Sequence, residues 1–181
     1  ESRGLGDVYK RQIESVGLRH LLKTKEPDFR MRDVELLIRH IGFRLFLPSY
    51  RGNLKSFLDF TCDQLNKEWG KEENDVTTAV GEFEKAVDAG RKIFGDVEIG
   101  RKWSEGSFET RLNRAVLDVQ LYFLSDEEVR QKSLEKTGEV VSSFKRLCEE
   151  DDDFRTSIET TTKSLTATGN RFSKWGGTLS Q

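Results

Sequence analysis

One stretch near the start of this chain constrains its fold more than any other. Residues 33–46 place apolar side chains at helical spacing on one face and, through Leu36, Phe43 and Phe46, on a second face. A helix that is apolar on two faces normally lies at the centre of a bundle. It stops before Pro48, and the turn PSYRGN leads into an amphipathic helix at residues 53–69. The pairing predicts an all-α fold, an irregular multi-helix bundle.

The rest of the chain also favours helices, because its only two prolines come early and no stretch alternates clearly with period two. Short apolar periods predict helices at residues 14–22 and 75–94. We expect Asp33 to be the N-cap of the central helix and Gly70 to end the second helix.

The C-terminal half carries further helix signals. We expect Ser107 to open a helix, and Ser125 with Glu128 to form a capping box for one long helix reaching residue 150. Three consecutive Asp at 151–153 suit the start of the next helix. The Thr-rich residues 160–168 predict a loop, with a short helix at 170–179 after it.

Composition limits the kinds of partner. Thirty basic and thirty-two acidic residues give a net charge of −2, so no overall charge favours nucleic acid, although a local basic face stays open. Cys62 and Cys148 are far apart and fit reduced core thiols in a cytoplasmic protein better than a disulfide or a metal site. No apolar run approaches the length of a membrane span, and we expect no membrane partner.

The first residues look foreign to the protein. Residues 7–12 read DVYKRQ, which is the translation of the transposase mosaic-end adapter used in sequencing libraries. We therefore expect residues 1–12 to be adapter read-through, residues 13–181 to form a helical lobe, and the natural chain to extend upstream of Ile13 as a larger protein.

Basic residues surround the start of the central helix. Arg30, Arg32 and Arg39 could hold a phosphate, because a helix N-terminus also favours anions. The structural alternative pairs Glu35 with Arg39 at i, i+4 and leaves the rest at the surface.

Two more polar groups are candidates. Arg111, Asn113 and Arg114, followed by Asp118, could face a phosphate or a partner domain, or could bridge to carboxylates on neighbouring helices. Arg171 lies one turn before Trp175, where a guanidinium stacked on indole is a common packing unit.

A catalytic constellation is not evident. The two histidines, His20 and His40, lack partner spacing, and the sequence holds no Walker-type loop, GxSxG or paired-Cys motif. We expect no catalytic residue, no metal ligand and no cofactor in residues 13–181.

Four blocks resemble the helical part of the GmrSD-type restriction endonucleases, which follows their ParB/sulfiredoxin-like catalytic domain. They are RMRDVELLIRHIGFRL at 30–45, YRGNLKSFLD at 50–59, RLNRAVLDV at 111–119 and RFSKW at 171–175, in the family's order. The family's DGQQR-type catalytic motif and the HNH domain that often follows are not among these residues.

The resemblance implies nucleotide-dependent cleavage of foreign DNA in prokaryotic phage defence by the parent protein. Nucleotide and divalent metal would belong to that parent, and the partner of this lobe would be the catalytic domain of the same chain, with DNA reached through it. The rival interpretation is a freestanding helical interaction module without catalysis.

Overall fold

Helices account for most of the chain in the computed structural model, which describes residues 21–22, 32–67 and 69–180. As predicted, these residues form an all-α, multi-helix fold. A 3-10 turn at Leu47–Ser49 follows the first helix. The α-helices are α1 Arg32–Phe46, α2 Leu54–Lys67, α3 Trp69–Phe94, α4 Arg114–Leu124, α5 Glu127–Glu135, α6 Thr137–Glu150, α7 Asp152–Glu159 and α8 Leu165–Leu179.

The long helix α3 is the spine of the bundle. It packs against α1, α2, α4, α5 and α6. Its predicted apolar stripe is buried from Val76 to Phe94, as the helical period requires; the buried positions are Val76, Val80, Phe83, Val87 and Phe94.

Helix α1 is central, as its two apolar faces predict. Leu37, Ile38 and Ile41 are almost inaccessible to solvent. Helix α4 nevertheless buries a larger share of its length, with eight of eleven residues buried against nine of fifteen in α1. The reason is that α4 is packed by α1, α3, α5, α7 and α8, so α4 rather than α1 is the more buried helix by that measure.

Two predicted boundaries near α1 and α3 are also wrong. Asp33 is the second residue of α1 rather than its N-cap, and its carboxylate accepts a hydrogen bond of 2.8 Å from the Val34 amide. Gly70 lies inside α3, which begins at Trp69 rather than near residue 75. A single glycine costs a helix only about 1 kcal/mol, which tertiary packing outweighs.

A hairpin stands where Ser107 was expected to open a helix. Strand β1, Trp103–Ser104, pairs antiparallel with β2, Ser107–Phe108. Glu105 and Gly106, which connect them, both have positive φ, the geometry of a type I′ turn that favours glycine. The next helix starts only at Arg114.

The predicted capping box at Ser125 is wrong as well. Ser125 ends α4 and its hydroxyl donates to the Leu121 carbonyl, whereas Asp126 is the N-cap of α5 and accepts from the Val129 amide. The expected long helix is divided at Lys136, whose φ of −115° and ψ of 35° are not helical.

The start of α7 follows the prediction. Asp151 is its N-cap, accepting from the Phe154 amide at 2.8 Å, and two more Asp fill the first turn. The loop after α7 is shorter than expected, because Ser164 caps α8 and the helix already begins at Leu165.

Several sequence predictions concern residues beyond this description. Residues 1–12 and Arg30 lie outside the described ranges. Leu21 and Leu22, from the predicted helix at 14–22, are helical, and Leu21 is buried in the core.

Cys148 is a buried free thiol and Cys62 a half-buried one. Among the described helices, none combines the length and the apolar character that crossing a membrane requires.

Candidate functional site: a cleft lined by arginines

Residues from distant parts of the sequence meet in one pocket of about 490 Å³, here called the arginine cleft. Helix α1, the start of α4, the loop before α8 and α8 itself all contribute to its wall. Its basic side chains are Arg39, Lys102, Arg111, Arg114, Lys163 and Arg171. Five of the seven predicted site residues line the cleft, namely Arg39, Arg111, Asn113, Arg114 and Arg171. Arg32 does not line it.

A buried ion pair lies beside the cleft. Arg39, from α1, donates through Nε to Asp118 Oδ1 at 2.9 Å and through Nη2 to Oδ2, a two-pronged contact with α4. Both side chains are nearly inaccessible. Burial alone would lower the pKa of Arg39, but the charge and hydrogen bonds of Asp118 outweigh it and raise that pKa. Arg39 therefore joins two helices instead of lying at the surface.

Arg171 is the second buried arginine of the cleft and is 2% exposed. Its Nη1 donates to the Thr162 carbonyl at 2.8 Å, and its Nε has no hydrogen-bond partner within the described ranges. Burial lowers the pKa of Arg171, Asp118 raises it and the nearby Arg39 charge lowers it further. A guanidinium stays charged under such shifts, so Arg171 brings positive charge into the interior.

The predicted stacking partner of Arg171 is wrong. Its guanidinium lies 5.9 Å from the centroid of the neighbouring Phe172 ring. Trp175 instead packs against Phe94 and Phe144 in the aromatic core. Arg171 and Trp175 are both buried, but they serve the cleft and the core respectively.

Asn113 has a structural task at the edge of the cleft. It is the N-cap of α4: its side-chain oxygen accepts from the amides of Ala115 and Val116, and its Nδ2 donates 2.8 Å to the Ile158 carbonyl. These bonds occupy both ends of the side-chain amide. Asn113 therefore positions Arg114 and Arg111 beside α7 and has little capacity left for a ligand.

Some charges at the rim are already paired. Lys102 Nζ lies 2.6 Å from Glu159 Oε1 and 3.2 Å from Glu109 Oε1. Burial opposes the charge on Lys102, yet these carboxylates raise its pKa. Arg114 and Arg39 each approach Glu35 at 3.6 Å. The predicted i, i+4 contact of Glu35 with Arg39 is thus present, but Glu35 also contacts Arg114.

Tyr50 anchors the turn after α1 to the far side of the cleft. It is buried, and its hydroxyl donates to the Lys163 carbonyl. Gly52 permits the turn because its φ is +82°, and the amide of Leu165 passes close to it. Tyr50, Lys102 and Lys163 were not among the predicted site residues, since nothing in their spacing places them beside Arg171.

His40 lies away from the cleft, in the core. It packs edge-on to Phe83, with 5.0 Å between ring centroids. Burial lowers the pKa of His40 to about 3, and the charge of Arg44 adds to this effect. Within the described ranges, no group of three or more His, Cys, Asp or Glu side chains could hold a metal ion.

Comparisons with protein families, with characterised proteins and with solved structures find no match to this chain. The four blocks singled out in the sequence nevertheless share a location. They supply Arg39, Tyr50, Arg114 and Arg171 respectively to the lining of the arginine cleft. The arrangement offers positive charge and hydrogen-bond donors, which suits binding of an anion or of an acidic surface.

Proposed function

We propose that this chain is the helical lobe of a GmrSD-like, nucleotide-dependent restriction nuclease that acts in the prokaryotic cytoplasm against phage DNA. The lobe supports a ParB/sulfiredoxin-like catalytic domain of the parent protein, and the arginine cleft forms one wall of the groove between them. In this role the lobe contributes positioning and positive charge, and the catalytic domain contributes the chemistry.

The observation that supports this proposal is the convergence of all four family-like blocks on one cleft. The blocks are spread between residues 30 and 175 of the chain, yet each places at least one side chain in the same pocket. Blocks that served only as core segments would have no reason to share a surface cavity.

The source gene provides the first test. The coding sequence upstream of Ile13 is expected to encode a domain with a DGQQR-type motif. A start codon near Ile13 would contradict the proposal and favour the rival module.

Activity of the longer protein provides the second test. Replacing the half-exposed Arg114 by Glu reverses a charge in the cleft without removing core packing, so we expect nucleotide-dependent DNA cleavage to fall while the melting temperature stays close to the parent's. The matched control is Arg146→Glu, which reverses a charge on the exposed side of α6. Equal activity in both variants would show that the cleft has no part in the reaction.

One observation favours the rival, a freestanding helical interaction module. A lobe that docks through apolar contacts beside the first and third blocks should expose an apolar patch near residues 30–35 and 111–114. Among the described residues, the large hydrophobic side chains that are exposed are Val97 and Leu165, which belong to neither segment. Docking at the cleft would therefore be polar.

Amide hydrogen exchange separates the two readings. If the lobe docks, the amides of residues 32–35 and 111–114 gain protection in the longer protein relative to this chain alone. Unchanged protection in both segments would show that they are not the docking face.

A further inference from the structure

The arginine cleft carries more positive charge than its own carboxylates neutralise. Among the described residues, six basic side chains line it, against three acidic ones, Glu35, Glu109 and Glu159. Asp118 adds a fourth negative charge through its contact with Arg39. The remaining net charge is two positive, concentrated in a concave surface where low-dielectric walls strengthen the field.

The excess charge can be assigned to particular residues. Arg39 is matched by Asp118, Lys102 by Glu109 and Glu159, and Arg114 by Glu35. Arg111 and Lys163 are exposed at the rim and make no ion pair with any described residue. Arg171 is buried and, within the described ranges, donates to a backbone carbonyl and to no carboxylate. These three cations are therefore available to a ligand.

Arg171 is the strongest indication of a ligand. No described carboxylate forms an ion pair with Arg171, although the charge of Asp118 acts on it from farther away. Such a buried charge is expensive, since desolvation of an ion is only repaid by close counter-charges or hydrogen bonds. Its Nε has no acceptor among the described residues and is itself inaccessible to solvent. An anion in the cleft would supply the counter-charge to the part of the guanidinium that lines the cleft.

We propose that the arginine cleft binds a phosphate-type oxyanion, held from below by Arg171 and from the rim by Arg111 and Lys163. A doubly charged group matches the two excess positive charges, whereas a carboxylate would leave one uncompensated. Several donors on separate elements suit a tetrahedral group with several acceptor oxygens. The cavity volume exceeds that of one phosphate, so pyrophosphate or a longer phosphate chain also fits.

The backbone at the start of α4 is not the binding group. The side chain of Asn113 already accepts from the Ala115 and Val116 amides. The helix dipole still favours an anion at this end, but the direct contacts come from side chains. This inference stands independently of the proposed nuclease role, because a freestanding module could hold the same anion.

Calorimetric titration of the full chain with pyrophosphate, inorganic phosphate and ATP tests the proposal. We expect saturable binding of at least one of them. The double variant Arg111→Ala, Lys163→Ala should weaken the binding about tenfold or more, because each substitution removes a charge-assisted hydrogen bond. The charge-matched control Arg146→Ala, Lys92→Ala should bind like the parent.

The probes also identify the source of the phosphate. Equal affinity for pyrophosphate and ATP would indicate recognition of the phosphate chain alone, and tighter binding of ATP would indicate contacts to its nucleoside. Arg171→Gln should abolish binding if circular dichroism shows that the variant folds; if it does not fold, the rim double variant decides. Absence of binding at millimolar ligand, equal response to acetate, or equal loss in the control variant would overturn the proposal.

Discussion

At the residue scale, the molecule depends on charges that are buried in different ways. Arg39 and Asp118 neutralise each other between α1 and α4. Arg171 carries a charge that no described carboxylate pairs with, and His40 stays neutral because burial lowers its pKa. Each of these states predicts a different response to substitution or to pH.

Removing one member of the buried pair should be costly. Asp118→Asn leaves the Arg39 guanidinium buried without a counter-charge, and we expect a loss of about 3–5 kcal/mol in the free energy of unfolding, measured by urea denaturation. Replacing both residues by apolar side chains of similar size should recover much of that loss. Asp88→Asn, which breaks the exposed pair with Lys92, is the control and should cost about 0.5 kcal/mol or less. A comparable loss in the two single variants would show that the Arg39 pair is solvated.

Stability should fall on acidification because of His40. Its pKa in the folded state, about 3, lies below its unfolded value, so the unfolded chain binds the extra proton. The contribution of neutral His40 to the free energy of unfolding is fully present above about pH 6.5 and is lost as pH falls. Well below pH 6.5 the loss is about 1.4 kcal/mol per pH unit. Urea unfolding between pH 7 and pH 5, above the carboxylate range, should show this slope in the parent and lose it in His40→Gln. Identical pH profiles would mean that His40 takes up a proton as readily in the folded protein as in the unfolded chain.

At the scale of elements, α1 and α4 pack side by side against α3. The three helices contact one another pairwise, and their buried side chains form the continuous core that the hairpin and α6 extend with aromatic rings. The cleft lies where this core ends, between α1, α4 and α8. Core packing and cleft geometry are therefore coupled through α1, which presents Ile41 to one side and Arg39 to the other.

Truncation in α1 tests this packing. Ile41 is 0% exposed, so Ile41→Ala removes buried methyl groups and leaves a cavity; we expect a loss of about 2–5 kcal/mol. Val97→Ala, at a position that is 53% exposed, should change stability by about 0.5 kcal/mol or less. Thermal or urea unfolding gives both values. A loss below about 1 kcal/mol for Ile41→Ala would contradict the central position of α1.

At the scale of the whole molecule, distant segments combine into one charged surface on a helical scaffold. That surface supplies donors and positive charge, and the carboxylates among the described residues that line it, Glu35, Glu109 and Glu159, each lie within ion-pair distance of a lysine or an arginine. Binding and positioning are the tasks for which the cleft is suited.

Residues 13–181 produced alone should therefore show no nuclease and no nucleotidase activity. The assay is DNA cleavage and nucleotide hydrolysis with Mg²⁺ or Mn²⁺ present, and addition of the upstream domain should restore activity if the proposed function holds. Metal-dependent cleavage by the isolated region, abolished by a point change within it, would contradict this prediction.

The sequence by itself determined the fold class, the apolar faces of α1, α2 and α3, the Asp start of α7 and five residues of the cleft. These features are local or periodic, so a face of a helix can be recognised without knowing what covers it. Helix boundaries were harder to predict from the sequence. Asn113 and Asp126, rather than Ser107 and Ser125, are the caps, because several polar residues compete at each boundary and packing selects one.

Only the tertiary structure decided that Arg39, Arg111, Arg114 and Arg171 meet, that Asp118 is the partner of Arg39, and that Tyr50, Lys102 and Lys163 complete the cleft. The partners of these residues are tens of residues away in the chain, and no local period encodes such a separation. Burial of Arg39 and Arg171 likewise depends on how α1, α4 and α8 pack. The same arginines would be ordinary surface charges if those helices packed differently.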